Sequence, residues 1–191
     1  GRSVSGGEVV LAHGKNLFYH LLHNTSASDH AGWGGSAFRV IQALTSWLQL
    51  NGFSSSDIPT HQDIDRIIES SFTWSTDWEG AAELATRFLD KYGIDCQMIS
   101  IESGIEVSRI VPQLVGHFKA EGTPVIIGNV VVSYILFGIE LNEVTGEVFF
   151  LILDGDDLPS KVKTTKCVWK KEDLFIGDFF YHFCLPIRPK N

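Results

Sequence analysis

The chain has 191 residues, of which 44% are apolar and 20% charged, with a formal net charge of -8. That length and balance suit one globular domain with a proper core and exclude a disordered chain. The acidic balance argues against nucleic acid, which selects a basic face, and no apolar run reaches the roughly 18 residues of a membrane span.

The opening "GRSVSGG", residues 1–7, reads as a flexible arm or an expression remnant, and residues 8–191 as a single domain. "EVVLAHGKNLFYHLL" reads as two short strands joined near Gly14, and "HNTSASDHAG" as a loop. From Ser36, Phe38, Ile41, Leu44 and Leu48 recur at helical spacing, with Trp47 widening the stripe and Gly52 able to supply a left-handed cap. So wide an apolar surface predicts a helix that crosses the core. Thr60 and Asp63 make a capping box that starts a second helix, and "DWEGAAELATRFLDKYG" is a third. "IDCQMIS" follows as a strand. A fourth helix, "SGIEVSRIVPQLVGHFKAEG", opens on a Ser103–Glu106 capping box, and Pro112 is expected to kink it. Then come strands: "PVIIG", "VVVSYILFGIEL", "EVFFLILD" and, at the end, "FFYHFCLPI". Helices first and an antiparallel sheet after them indicate an α+β fold with a central helix packed on a sheet.

Cys96, Cys167 and Cys184 have no short spacing and suit reduced thiols, hence a cytoplasmic setting. His20, His23, Asp29 and His30 are too loosely spaced for a convergent zinc site, so no metal and no cofactor is expected.

Several ordered motifs together resemble one family, the ubiquitin-fold modifier-specific cysteine proteases, which are papain-like. "GWGGSAFRVIQALTSW" is similar to the Gly-Trp-Gly-Cys turn and central helix of that family. Pro59, Thr60 and His61 match its Pro-Ser/Thr-His triplet. "EGTPVIIGNVVVSYILFGIELNEVTGEVFFLILD" resembles its Gly-Thr-Pro strand and the two strands after it, and "CLPIRP" resembles its tail. The resemblance runs from about Gly14 to Pro189 and implies a papain-like cysteine protease fold.

The departures fall on the chemistry. Ser36 stands at the nucleophile position, with Gly35 as an extra turn residue. The Asp-Pro-His triplet keeps Asp154 but becomes Gly155 and Asp156, the strand histidine becomes Tyr134, and the oxyanion tyrosine falls on Leu21 or Leu22, with Tyr19 out of register. A serine hydroxyl needs a positioned base, and a carboxylate is a poor one for an alkoxide. Ser36 is also a natural helix N-cap. The resemblance therefore implies a catalytically inactive homologue that binds the modifier or a protein of its machinery, reaching the endoplasmic reticulum surface through partners. The binding groove would be lined by Trp33, Gly34, Gly35 and Tyr134, although Trp33 is equally well placed to plug the core. The alternative is an active thiol protease that matures or removes the modifier, with its nucleophilic Cys replaced by Ser36. A serine hydrolase using Ser36 and Asp154 ranks last, for want of a base.

Overall fold

The structure, a computed structural model, describes residues 4–14, 19, 35–55, 57–60, 62–64, 66, 80–157 and 167–188. Strand β1 (Glu8–Leu11) leads to helix α1 (Gly35–Leu50), helix α2 (Ala81–Lys91), strand β2 (Cys96–Ile101) and helix α3 (Val107–Ala120). Five strands follow: β3 (Val125–Gly128), β4 (Ser133–Leu141), β5 (Val148–Asp154), β6 (Val168–Lys171) and β7 (Tyr181–Pro186). They form one antiparallel sheet in the order β2-β7-β3-β4-β5-β6. β4 divides one edge between two partners: its first half pairs with β3 and its second half with β1.

β4 is buried at eight successive positions, Ser133 to Glu140. Successive side chains point to opposite faces, so both faces of the sheet are covered. α1 and α2 lie over β3, β4 and β7, while α3 contacts β1 and β4. α1 is the expected core helix: Val40, Ile41, Ala43 and Trp47 are fully buried, and Gly52 at φ 78° ends it as a left-handed cap. The arrangement is the α+β one the element order implied.

Local expectations fare differently. Thr60 and Asp63 do form a reciprocal capping box, each backbone N–H donating to the other's side chain at 2.9 and 3.1 Å. Those bonds, led by the Thr60 backbone N–H, hold the Asp63 carboxyl below its usual range. The Ser103–Glu106 box is not made. The Ser103 hydroxyl donates to the Gly177 carbonyl at 2.6 Å, Glu106 accepts from the Glu102 N–H, and a 3-10 turn at Gly104–Glu106 precedes α3. α3 runs unbroken from Val107 to Ala120 through Pro112. Residues 4–7, read as an arm, lie along β4: the Val4 and Ser5 N–H groups donate to the buried Glu140 carboxylate.

Candidate functional site

Three element ends converge at one edge of the fold: the first turn of α1, the start of β4, and the end of β5 with the 3-10 turn Gly155–Asp157 after it. Their meeting depends on Gly155. A Cβ there would lie 2.9 Å from the Ser36 carbonyl oxygen, 2.9 Å from Val40 and 3.0 Å from the Ser133 carbonyl oxygen. Only a residue without a side chain lets the turn close against the helix start and β4.

Ser36 sits inside the first turn of α1, which begins at Gly35, rather than at the N-cap. Its hydroxyl donates to the Ser133 hydroxyl at 3.2 Å. A helix N-terminus favours negative charge, so the position suits a developing anion. What it meets is a second neutral hydroxyl, which is not a general base.

Tyr134 and Asp154 are direct cross-strand partners. Tyr134 is only 7% exposed. Burial first, and the Asp154 charge second, push its phenol up to about 12, so it stays neutral. Little of its ring is left for a groove. Asp154 is half-buried, and its Oδ1 accepts the Asp156 N–H at 2.9 Å. Burial raises the Asp154 pKa above the ordinary carboxylate value. The Asp156 N–H opposes that rise, and repulsion from Asp156 and Asp157 adds to it. Asp156 itself is exposed.

The Asp154 shift has a definite sign in stability. A carboxyl whose folded-state pKa is raised binds protons more tightly when folded, so its ionised form at neutral pH weakens the fold. Asp154→Asn keeps an oxygen for the Asp156 N–H and removes the charge. It is expected to raise the melting temperature at pH 7, with the gain fading as pH falls through the folded-state pKa of Asp154. A lower melting temperature at pH 7 would show that Asp154 stabilises through its charge.

The described histidines are all engaged elsewhere. The His13 ring lies against Gly122, and the His13 backbone N–H donates to the Gly122 carbonyl. His117 is buried, with Nε2 2.9 Å from the Thr123 carbonyl, and burial holds its pKa below the usual value. His182 bridges the Ser100 hydroxyl at 2.6 Å and the Glu83 carboxylate at 3.0 Å. Tyr19, out of register for an oxyanion donor, stacks on Phe137 with ring centroids 6.4 Å apart. Trp33, Gly34, Leu21, Leu22, His20, His23, Asp29, His30 and His61 lie outside the described residues. Among the described residues no cluster of His, Cys, Asp and Glu could hold a metal, and no helix is long and apolar enough to cross a membrane.

The structure thus places Gly35, Ser36, Tyr134, Asp154 and Asp156 on element ends that meet at one edge of the fold. It adds Ser133, which sequence reasoning missed. A serine before a strand reads as ordinary turn chemistry, and nothing local marks it as the partner of a residue 97 positions away.

The family model for peptidase family C78 matches residues 7–184. A probable Ufm1-specific protease of Oryza sativa is 39% identical over 97% of the chain, and Ufm1-specific protease 2 of Gallus gallus is 34% identical over 97%. The chain spans 31% and 42% of the length of these two relatives. The crystal structure of UfSP from Caenorhabditis elegans superposes with a TM-score of 0.77 at 31% identity, covering 97% of this chain and 35% of that one. The fold is therefore the papain-like α+β fold, and the chain belongs to peptidase family C78, the family of the Ufm1-specific proteases.

Proposed function

We propose that this protein is a catalytically inactive member of its family that binds a ubiquitin-fold modifier, or a protein of the modification machinery, through the former substrate groove. The observation that carries this reading is that the Ser36 hydroxyl, at the nucleophile position of the resemblance, donates among the described residues to the neutral hydroxyl of Ser133 and not to a base. Asp154, Asp156 and Asp157 stand on the strand end and 3-10 turn that pack against the start of α1. They would repel the oxyanion that acyl transfer must stabilise. Free Cys96, Cys167 and Cys184 suit the reducing cytoplasm, with contact to the endoplasmic reticulum surface made through partners.

The test mixes the protein with Ufm1 and, separately, with a Ufm1 precursor extended at its C-terminus. Saturable binding to Ufm1 is expected, followed by titration calorimetry, with no new precursor C-terminus in the mass spectrum. Precursor cleavage above the buffer rate would overturn inactivity. Absence of heat up to about 100 µM protein would overturn modifier binding.

A further inference from the structure

The rim beside the site is apolar where a monomer's surface is usually polar. Val130 and Val131 are 52% and 57% exposed, Phe179 and Phe180 36% and 41%, and Ile105 and Ile176 77% and 49%. Scattered single apolar residues need no explanation, but a contiguous group marks a binding surface. These belong to three loops at one end of the sheet: the β3–β4 turn, the approach to β7, and the 3-10 turn before α3.

Hydrogen bonds fix the loops to one another. Asn129 Nδ2 donates to the Phe180 carbonyl at 3.0 Å, and its Oδ1 accepts the Val131 and Val132 N–H groups at 2.8 and 2.9 Å. The Ser103 hydroxyl reaches Gly177, and Tyr181 Oη accepts the Ile176 N–H. Phe175 anchors the segment from below, edge-on to Phe150 and Tyr181. The apolar side chains therefore stand on a preorganised platform, which lowers the ordering cost of binding.

Two observations choose the occupant. First, the platform is continuous with the candidate site: Val132 precedes Ser133, which holds Ser36. A partner whose tail reached Ser36 would have this rim directly beside it. Second, among the described residues the exposed carboxylates around the platform are those of Glu102, Asp156, Asp157 and Asp178. The guanidiniums among the described residues at this end are Arg109, 3.6 Å from the Glu106 carboxylate, and the half-buried Arg39. An acidic rim selects a partner face with a basic rim, and it repels a second copy of this chain.

Resting on the modifier-binding reading above, we propose that Val130, Val131, Ile176, Phe179 and Phe180 form a docking platform for the globular body of the ubiquitin-fold modifier, separate from the groove for its tail.

The test uses the whole protein and two forms of Ufm1, intact and lacking its C-terminal tail. Tail-less Ufm1 is expected to shift the backbone amide signals of Val130, Val131 and Phe180. Val131→Asp and Phe180→Asp, each at an exposed position, should weaken intact Ufm1 binding at least about 10-fold, as aromatic and apolar anchors do at interface centres. Val144→Asp, at a 95% exposed turn residue on the other end of the sheet, should bind like the wild type. Added salt should weaken the wild-type complex. Wild-type affinity in both platform variants, with intact Ufm1 still bound by the parent, would overturn the platform and leave the proposed function standing. No binding of either form to the parent would overturn both. Concentration-dependent self-association abolished by Val131→Asp would assign the platform to a second copy and overturn the modifier assignment.

Discussion

Ser36→Cys alone is expected to leave a Ufm1 precursor uncut, and Ser36→Cys combined with Asp156→His to cut it at least about 100-fold faster than the single variant. A thiol is a better nucleophile than a hydroxyl and benefits from its place in the first turn of α1. Yet the active species is the thiolate, and beyond the helix N-terminus the described side chains around position 36 do not favour it. The hydroxyl of Ser133 supplies no charge, while Asp154, Asp156 and Asp157 supply the wrong one. A thiolate at position 36 would form against that field, so its pKa should stay at or above the ordinary thiol value.

Placing an imidazole at residue 156 changes both terms. It removes one of the three carboxylates and adds a group able to take the proton and carry positive charge. The 3-10 turn brings residue 156 beside the helix start because Gly155 packs on the Ser36 carbonyl. Asp156 is exposed, so a larger ring there meets no core. Asp154, which now only accepts the 156 N–H, would also be near enough in sequence to orient the ring. Gly155 must stay glycine: a proline at this position would bring a ring into a slot where even a Cβ meets atoms at 2.9 Å. Without a tyrosine donor for the oxyanion, the double variant should still fall roughly 100- to 1000-fold short of a fully equipped enzyme. Single-turnover mass spectrometry of precursor cleavage measures all of this. If Ser36→Cys cuts as fast as the double variant, the missing imidazole is not what disables the site, and the thiol protease reading with a replaced nucleophile takes its place.

How far the fold is legible from sequence depends on how local each instruction is. The spacing of Phe38, Ile41, Leu44 and Leu48 and the glycine at 52 are enough to place α1 to within a residue of its observed Gly35–Leu50 span. The Thr60–Asp63 box is legible because both partners lie three residues apart and nothing distant competes. The Ser103–Glu106 box has the same spelling and fails because a carbonyl at Gly177 claims the serine. Its counterpart at α2 works with half the expected parts. Gly80 has no side chain, but its N–H still donates to Glu83 at 2.7 Å, a bond that periodicity does not reveal. β6 escapes notice because Val168–Lys171 is a four-residue edge strand carrying two lysines, the composition that guards a free edge. At the site, motif alignment points to Ser36, Tyr134, Asp154 and Asp156, which lie on element ends that meet. Ser133 and the burial of Tyr134 are not legible, because both follow from β4 pairing with β3 and β5.

Glu140→Ala is expected to be among the most destabilising single substitutions in the chain, at about 3–5 kcal/mol. Glu140 is fully buried in β4, a place where a carboxylate is tolerated only if its oxygens are satisfied. The two Glu140 oxygens accept the backbone N–H groups of Val4 and Ser5, one each. Residues 4–7 are held there at further points: Asn142 Nδ2 donates to the Ser5 carbonyl at 3.1 Å, and Gly7 lies so close to Leu141 that a Cβ would meet its carbonyl oxygen at 2.6 Å. Alanine would strand two N–H donors and leave a void beneath them, and both penalties add. Glutamine keeps one acceptor oxygen and most of the volume, so Glu140→Gln should lose clearly less. Removing residues 1–6 instead leaves the carboxylate buried without these donors, and should destabilise about as much as the alanine change. For a chain of this size the loss corresponds to a fall of about 10 °C in melting temperature. Thermal and urea melts of the three variants make the comparison. Wild-type stability for the chain lacking residues 1–6 would mean that the segment merely lies on β4, and that Glu140 is satisfied by other groups.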